Sequence, residues 1–261
     1  MTPAQDILVT GGTGTLGRAL VGRLLAGGHR VRSLSRHPHT GPARPGLRSY
    51  AVDLRDGAGL PEALAGVDTV VHCASTPAGG DVEAAGHLVE AVRRAGGVRH
   101  LVYISIVGVD RIPLRYYRAK LAVERLVAES GTGWTVLRTT QFHDLLLGLV
   151  RAGARSPVVP VPAGLRFQPV DAGEVADRLA GLSLAAPSGR VTDMGGPEIL
   201  GARDLVRMTL TAAARRRLLL PVPLPGPTAA ALRRGENLVP DHPDGRRTYA
   251  AFLAERVPGR G

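Results

Sequence analysis

Lys120 is the single lysine among 33 basic residues, and it follows Tyr116 by four positions in Tyr116-Tyr117-Arg118-Ala119-Lys120. On a helix that spacing puts phenol and ammonium on one face. With five tyrosines in the chain, a lone lysine lands there by chance about 2% of the time. A phenol ordinarily titrates near 10, too high to exchange protons readily at neutral pH, and a neighbouring ammonium favours its ionised form and lowers that value. Such a pair is suited to giving a proton to a carbonyl oxygen as hydride reaches the carbon, or to taking it back. Ser105, in Tyr103-Ile104-Ser105, offers a further hydrogen bond to that oxygen. Tyr117 is the competing donor if the helix is rotated.

Hydride needs a carrier, and Gly11-x-x-Gly14-x-x-Gly17 points to one. The triple alone is unspecific, since 34 glycines in 261 residues produce it about half a time per chain. Its setting is informative: the apolar run Asp6 to Val9 precedes it, and Leu16, Ala19, Leu20 and Leu24 follow at helical spacing. There Gly11 permits a tight turn, Gly14 lets the backbone approach a pyrophosphate, and Gly17 allows close packing of helix and strand. Thr13, Thr15 and Leu16 share this loop, and the helix N-terminus adds free N–H groups. Lys120, a compact donor on a flexible stem, can also hold the nicotinamide ribose. A triphosphate-binding P-loop is excluded, because the only lysine follows Ala119.

The end of the second strand selects the dinucleotide. An NAD site places a carboxylate there for the ribose 2′-hydroxyl. This chain has Ser35-Arg36-His37 and no nearby acid. Arg36 can instead pair with a 2′-phosphate, so NADP(H) is preferred over NAD(H). Asp53-Leu54 closes the third strand, where Asp53 can accept from the adenine amino group. His72-Cys73-Ala74-Ser75 closes the fourth, and the backbone at Ala74 and Ser75 can line ribose and phosphate. For both segments an ordinary turn is the other reading.

These residues need strands and helices to position them. Strands are expected at Asp6–Val9, Arg30–Ser35, Arg48–Val52, Asp68–His72, Leu101–Ile106 and Trp134–Leu137, alternating with helices such as Val82–Ala95 and Pro113 to about Glu129. That alternation implies right-handed βαβ crossovers, hence an α/β fold with a doubly wound parallel sheet of Rossmann type. Later, a helix is expected over Gln141–Val150, irregular chain over Arg155–Phe167, a helix over Asp171–Leu184 and a short strand over Arg190–Met194. A long basic helix at Leu205–Leu219, a linker at Pro221–Pro227 and a last helix at Thr248–Glu255 complete the reading. The chain reads as one unit, with a core at 1–140 to which 171–194 returns and a small C-terminal substrate-capping region made of 141–170 and 195–261.

Composition narrows the alternatives. The formal charge is +11, but the arginines are scattered without interleaved aromatics, which argues against nucleic acid as a partner. One cysteine, Cys73, leaves neither an internal disulfide nor a cysteine-based metal cluster, and the eight histidines lack metal spacing. No apolar stretch approaches bilayer length and the first residues do not read as a secretory signal, so a cytoplasmic protein is expected. The charge excess and the sequence leave oligomeric state open.

Thr10-Gly11-Gly12-Thr13-Gly14-Thr15-Leu16-Gly17, the Tyr116/Lys120 pair and the stretch Trp134 to Phe142 together resemble an atypical short-chain dehydrogenase/reductase of the NmrA-like, NAD(P)H-binding group. Phe167-Gln168-Pro169-Val170-Asp171 fits the same pattern. The resemblance implies Gly11, Gly14, Gly17, Arg36 and Asp53 at the cofactor, and an activity like that of quinone, enone or ketone reductases on a small-molecule substrate. The same group includes regulators that bind the dinucleotide without chemistry, so a redox sensor signalling to a protein partner is the alternative. Ser105 is followed by Ile106-Val107-Gly108 instead of the second serine of sugar-epimerase relatives, which speaks against epimerisation. Gln141, Phe142 and His143, after the sixth strand, are the candidate substrate contacts.

Overall fold

The first strand lies in the interior of the main sheet because its side chains have nowhere polar to go: Ile7, Leu8 and Val9 are wholly buried. A computed structural model describes residues 4–37, 42–75 and 79–257. The chain opens with β1 (Asp6–Thr10), α1 (Thr15–Ala26), β2 (Arg30–Ser35), β3 (Leu47–Ala51), α2 (Leu60–Leu64), β4 (Thr69–His72) and α3 (Asp81–Ala95). It continues with β5 (His100–Ile106), α4 (Arg115–Ala128), β6 (Gly133–Thr139), α5 (His143–Gly153), β7 (Val158–Pro162), β8 (Arg166–Phe167), α6 (Ala172–Leu184) and β9 (Gly189–Arg190). The last elements are β10 (Leu200–Gly201), α7 (Ala202–Ala212), β11 (Leu218–Val222), α8 (Pro227–Arg234) and α9 (Tyr249–Arg256).

Seven strands form one parallel sheet in the order β3-β2-β1-β4-β5-β6-β9. The order reverses between β1 and β4, and at such a switch point the loops beyond the strands' carboxyl ends part and leave a crevice. Both sheet faces are covered, so β4 is buried at every position. On one face Ala85, Leu88, Val89 and Val92 of α3 and Val123 and Val127 of α4 join the core cluster of Leu8, Val70, Leu101 and Tyr103. Each such aliphatic side chain contributes about 1.5–3 kcal/mol by leaving water.

The chain forms two compact units. The first comprises Met1–Ser105, Arg115–Arg138 and Val175–Thr192; the second comprises Ile106–Leu114, Thr139–Glu174 and Asp193–Gly261. The sequence-based division differs in keeping Ile106–Leu114 with the sheet. Within the second unit, β7 pairs with β11 in parallel and β8 with β10 antiparallel.

Three expectations are corrected in this second unit. Arg155–Phe167 is not irregular: it contains β7 and β8. Pro160 and Pro162 discouraged a strand there, but β7 has one partner only, and prolines are tolerated where an edge carries no ladder. The helix expected to reach Leu219 stops at Ala212. Ala214 adopts a left-handed conformation (φ 49°), with Ala214 N–H donating to Thr211 and Arg215 N–H to Leu210. That is a Schellman-type stop without its usual glycine, so the sequence carried no stop signal, and Leu218 and Leu219 start β11 instead. The linker expected at Pro221–Pro227 is shorter, because Pro221 still belongs to β11 and Pro227 opens α8, a helix the sequence reading omitted. The strand expected at Arg190–Met194 is reduced to β9 in the first unit; within the second, Met194 forms an isolated bridge to Thr139.

Candidate active site

The carboxyl ends of β1 to β4 and the start of α3 enclose a cleft within the first unit. Gly11, Arg36, Asp53, Ala74, Ser75 and Asp81 are among its lining residues. The glycine loop that floors it is packed too tightly for side chains. Gly11 is left-handed (φ +66°), and a Cβ there would lie 2.8 Å from Ala74 Cα. At Gly17 a Cβ would lie 2.2 Å from the Gly11 carbonyl oxygen, so this glycine serves the turn-to-helix contact. Gly12, which the motif reading passed over, is equally constrained: its Cβ would meet Ser33 Oγ at 2.2 Å. At Gly14 a Cβ would approach only the Gly11 carbonyl, at 3.2 Å, which leaves the outer side of the loop open. Gly14 caps α1 without any side-chain cap, and no acid stands in the first turn. A cradle of backbone closed to side chains, opening on an uncapped helix terminus, fits a pyrophosphate.

At one end of the cleft the groups are charged and exposed. Arg36 is exposed beyond β2, where no acid is present. Ser35 Oγ lies 2.7 Å from Thr13 Oγ1, which ties the glycine loop to β2. Asp53 is held by Arg55 through a 2.8 Å ion pair and through the Arg55 backbone N–H. Those hydrogen bonds hold its carboxyl down at about 2, with Arg36 adding a weaker pull. Arg55, which sequence reasoning missed, thus lines the cleft beside Arg36. Leu54 is buried beneath them.

The other end is buried. Tyr116 and Lys120 lie on α4, and Tyr116 Oη reaches Ser75 Oγ at 2.8 Å. Ser75 Oγ in turn donates to Asp81 Oδ2 at 2.7 Å. Tyr117 is buried and meets the Tyr116 ring edge-on. Lys120 is 3% exposed, with Nζ 5.0 Å from the Tyr103 ring centre and 5.9 Å from that of Tyr116. Burial lowers the lysine's pKa, and Asp81 opposes this most strongly. His72 donates or accepts at Thr10 Oγ1 (2.7 Å), stacks on Tyr103, and is pushed by burial down to about 3. The Cys73 thiol is pushed by burial up to about 12. Ser105 Oγ is buried without a hydrogen-bond partner.

One electrostatic expectation is overturned. Lys120 was expected to lower the Tyr116 phenol; instead burial raises it, the Ser75 hydrogen bond pulls it down in part, and Asp81 pushes it further up. The ammonium lies over ring faces, where a cation is held by the π cloud, and desolvation sets the direction of the phenol's shift. No sequence motif marked Asp81: an acid in the first turn of a helix is ordinarily a terminus effect.

Gln141, Phe142 and His143 belong to the second unit. Gln141 Oε1 is buried without a partner, and Phe142 precedes α5 as its cap residue. His143 is wholly buried, tilted against Phe252 at 5.0 Å and edge-on to Tyr249, so in this conformation it offers no surface to a substrate. Among the described residues no cluster of three or more metal-ligating side chains occurs, and no helix is long and apolar enough to cross a membrane.

Known proteins agree with this architecture. A family profile described as NAD(P)H-binding matches residues 11–155. The chain is 35% identical over 205 residues to the (4-alkanoyl-5-oxo-2,5-dihydrofuran-3-yl)methyl phosphate reductase of Streptomyces griseus, covering 76% of this chain and 70% of that one. It is 26% identical over 162 residues to quinone oxidoreductase 2 of Escherichia coli K12, covering 60% and 56%. The crystal structure of the NADPH-dependent quinone oxidoreductase QOR2 of Escherichia coli, complexed with NADPH, superposes with a TM-score of 0.79 at 20% identity over 96% of this chain and 99% of that one. The chain spans 24% of the length of the mycobacterial relatives it matches at 30% identity. By its glycine loop, its sheet order and these matches, the chain belongs to the NAD(P)H-binding family of short-chain dehydrogenase/reductase-type oxidoreductases.

Proposed function

We propose that this protein is an NADPH-preferring reductase of a small carbonyl, enone or quinone-like compound, with Tyr116 as its proton donor. The observation that carries the reading is the arrangement on α4: a phenol hydrogen-bonded to the cleft wall, one turn from the chain's only lysine, itself buried. The relatives named as a reductase and a quinone oxidoreductase support the reaction class.

When bound, the reduced nicotinamide supplies hydride. The backbone from Gly11 to Gly17, with Thr13, Thr15 and Leu16, holds the pyrophosphate; Arg36 takes the 2′-phosphate as a planar fork. Asp53 and Leu54 stand at the adenine end, and Ala74 and Ser75 along the ribose and phosphate. Lys120 holds the nicotinamide ribose. Ser105, whose hydroxyl has no partner within the protein, orients the substrate oxygen. Gln141 and Phe142 are proposed on the substrate side.

The test is NADPH oxidation with a simple naphthoquinone and an α,β-unsaturated ketone. Tyr116→Phe is expected to cut the rate at least ~100-fold; an unchanged rate returns Tyr116 to a packing role. A redox sensor is the second reading, favoured by the raised phenol of Tyr116. Tight NADPH binding without turnover on any carbonyl or quinone, unaffected by Lys120→Met, selects it.

A further inference from the structure

Ser75 has one hydroxyl proton to give. Asp81 takes it, across 2.7 Å. In the second short contact of the same oxygen, 2.8 Å from Tyr116 Oη, the phenol is therefore the donor. The result is a directed chain from Tyr116 through Ser75 to Asp81. Its far end is buried, with Asp81 6% exposed in the first turn of α3, where free helix N–H groups favour negative charge. Its middle member, Ser75, is exposed to solvent and lines the cleft.

We propose that Asp81 is a positioning residue for Tyr116, acting through Ser75, and that these three side chains form the path by which the phenol regains its proton. The proposal rests on Tyr116 being the proton donor. In each turnover the Tyr116 O–H bond breaks and its proton goes to the substrate oxygen, while the carbon (or its conjugate position) is reduced by hydride from the nicotinamide. The Ser75 hydroxyl then turns from Asp81 to the phenolate and gives up its proton, and solvent supplies one to Ser75 Oγ. The balance is one hydride and one solvent proton taken up, with no change in the protein's own oxidation state. Asp81 restores the starting orientation by drawing the Ser75 hydroxyl back.

The groups facing this chain are few. Lys120 and Glu124 face it from α4, Tyr103 from β5, and His72 and Cys73 from the end of β4. His72 and Cys73, at about 3 and about 12, do not change charge between pH 5 and 9. The two links act on the phenol with opposite signs: once turned to the phenolate, the Ser75 hydroxyl makes a charge-assisted bond that favours the ionised form, and the Asp81 charge disfavours it.

The test compares the full-length protein with Ser75→Ala, Asp81→Asn, Asp81→Ala and Tyr116→Phe. Two readouts are used: steady-state kinetics against pH, and tyrosinate absorbance without added cofactor, with Tyr116→Phe subtracted to isolate this phenol. Ser75→Ala and Asp81→Asn are each expected to lower kcat about tenfold with KM nearly constant. Ser75→Ala is expected to move the Tyr116 titration up and Asp81→Asn to move it down, a sign reversal that general loosening does not produce. Asp81→Ala is expected to follow Asp81→Asn in titration, which separates charge from packing. If Tyr116→Phe is inactive yet Ser75→Ala and Asp81→Asn match the wild type in pH profile and titration, the relay is wrong and the reductase reading stands. If Tyr116→Phe retains full activity, the underlying reading fails, whatever the titrations show.

Discussion

Beyond β2 and β3 the cleft is lined by Arg36, Asp53 and Arg55, with Arg55 and Asp53 side chains 53% and 30% exposed. Beyond β4 it is lined by Asp81, 6% exposed, whose charge acts on Lys120, 3% exposed on α4. In water a guanidinium and a carboxylate attract weakly and are screened by salt, so the ion pair at the first end adds little to folding. In the buried end each charge depends on its partners, because an unpaired one meets the full cost of desolvation. The same sheet edge thus carries surface charges that tolerate exchange with water at one end and buried charges that do not at the other.

The largest effect that bears on this contrast is expected at Glu124. It lies one turn beyond Lys120, and with Arg138 it forms a buried two-bond ion pair at 2.8 and 2.7 Å. Glu124→Ala is expected to destabilise the fold by about 3–5 kcal/mol in urea unfolding, since it removes the carboxylate that neutralises the buried Arg138 charge. A loss below about 1 kcal/mol, the value of an exposed pair, would erase the distinction between the two ends. At the exposed end Arg36→Ala is expected to leave stability unchanged and to weaken NADPH binding by about 10–100-fold, the loss of a charged hydrogen bond, with NADH affinity nearly constant. Calorimetric titration with both coenzymes checks this, and equal losses for both would remove Arg36 from the 2′-phosphate. The smallest effect is expected at Asp53. Its folded pKa of about 2 lies below the ordinary carboxyl value, so its pairing favours the fold above pH ~4 and is lost as pH falls toward 2. Asp53→Asn is therefore expected to lower stability slightly at pH 7 and to make no difference near pH 2, so that acid unfolding flattens between those values, as followed by circular dichroism.

Much of the buried end was legible because chemistry constrained residue type against background. A chain that uses arginine elsewhere keeps one lysine, and the glycine loop stands between an apolar strand and a periodic helix. What escaped was whatever depends on partners far away in sequence. Asp81 acquires its role from Ser75 and from a phenol on another helix, and Gly12 is required by Ser33 on the adjacent strand. The direction of the Tyr116 shift was misjudged because spacing reveals a neighbouring ammonium and says nothing of burial. In the second unit, Ala214 in place of glycine hid a helix end, and two prolines hid a strand with a single partner.

The chain's one cysteine carries a consequence of its own. Burial pushes the Cys73 thiol up to about 12, so its thiolate is disfavoured at neutral pH. Quinones and enones arylate or alkylate proteins chiefly through such anions. A thiol held in its protonated form is a poor target for such electrophiles and for peroxide.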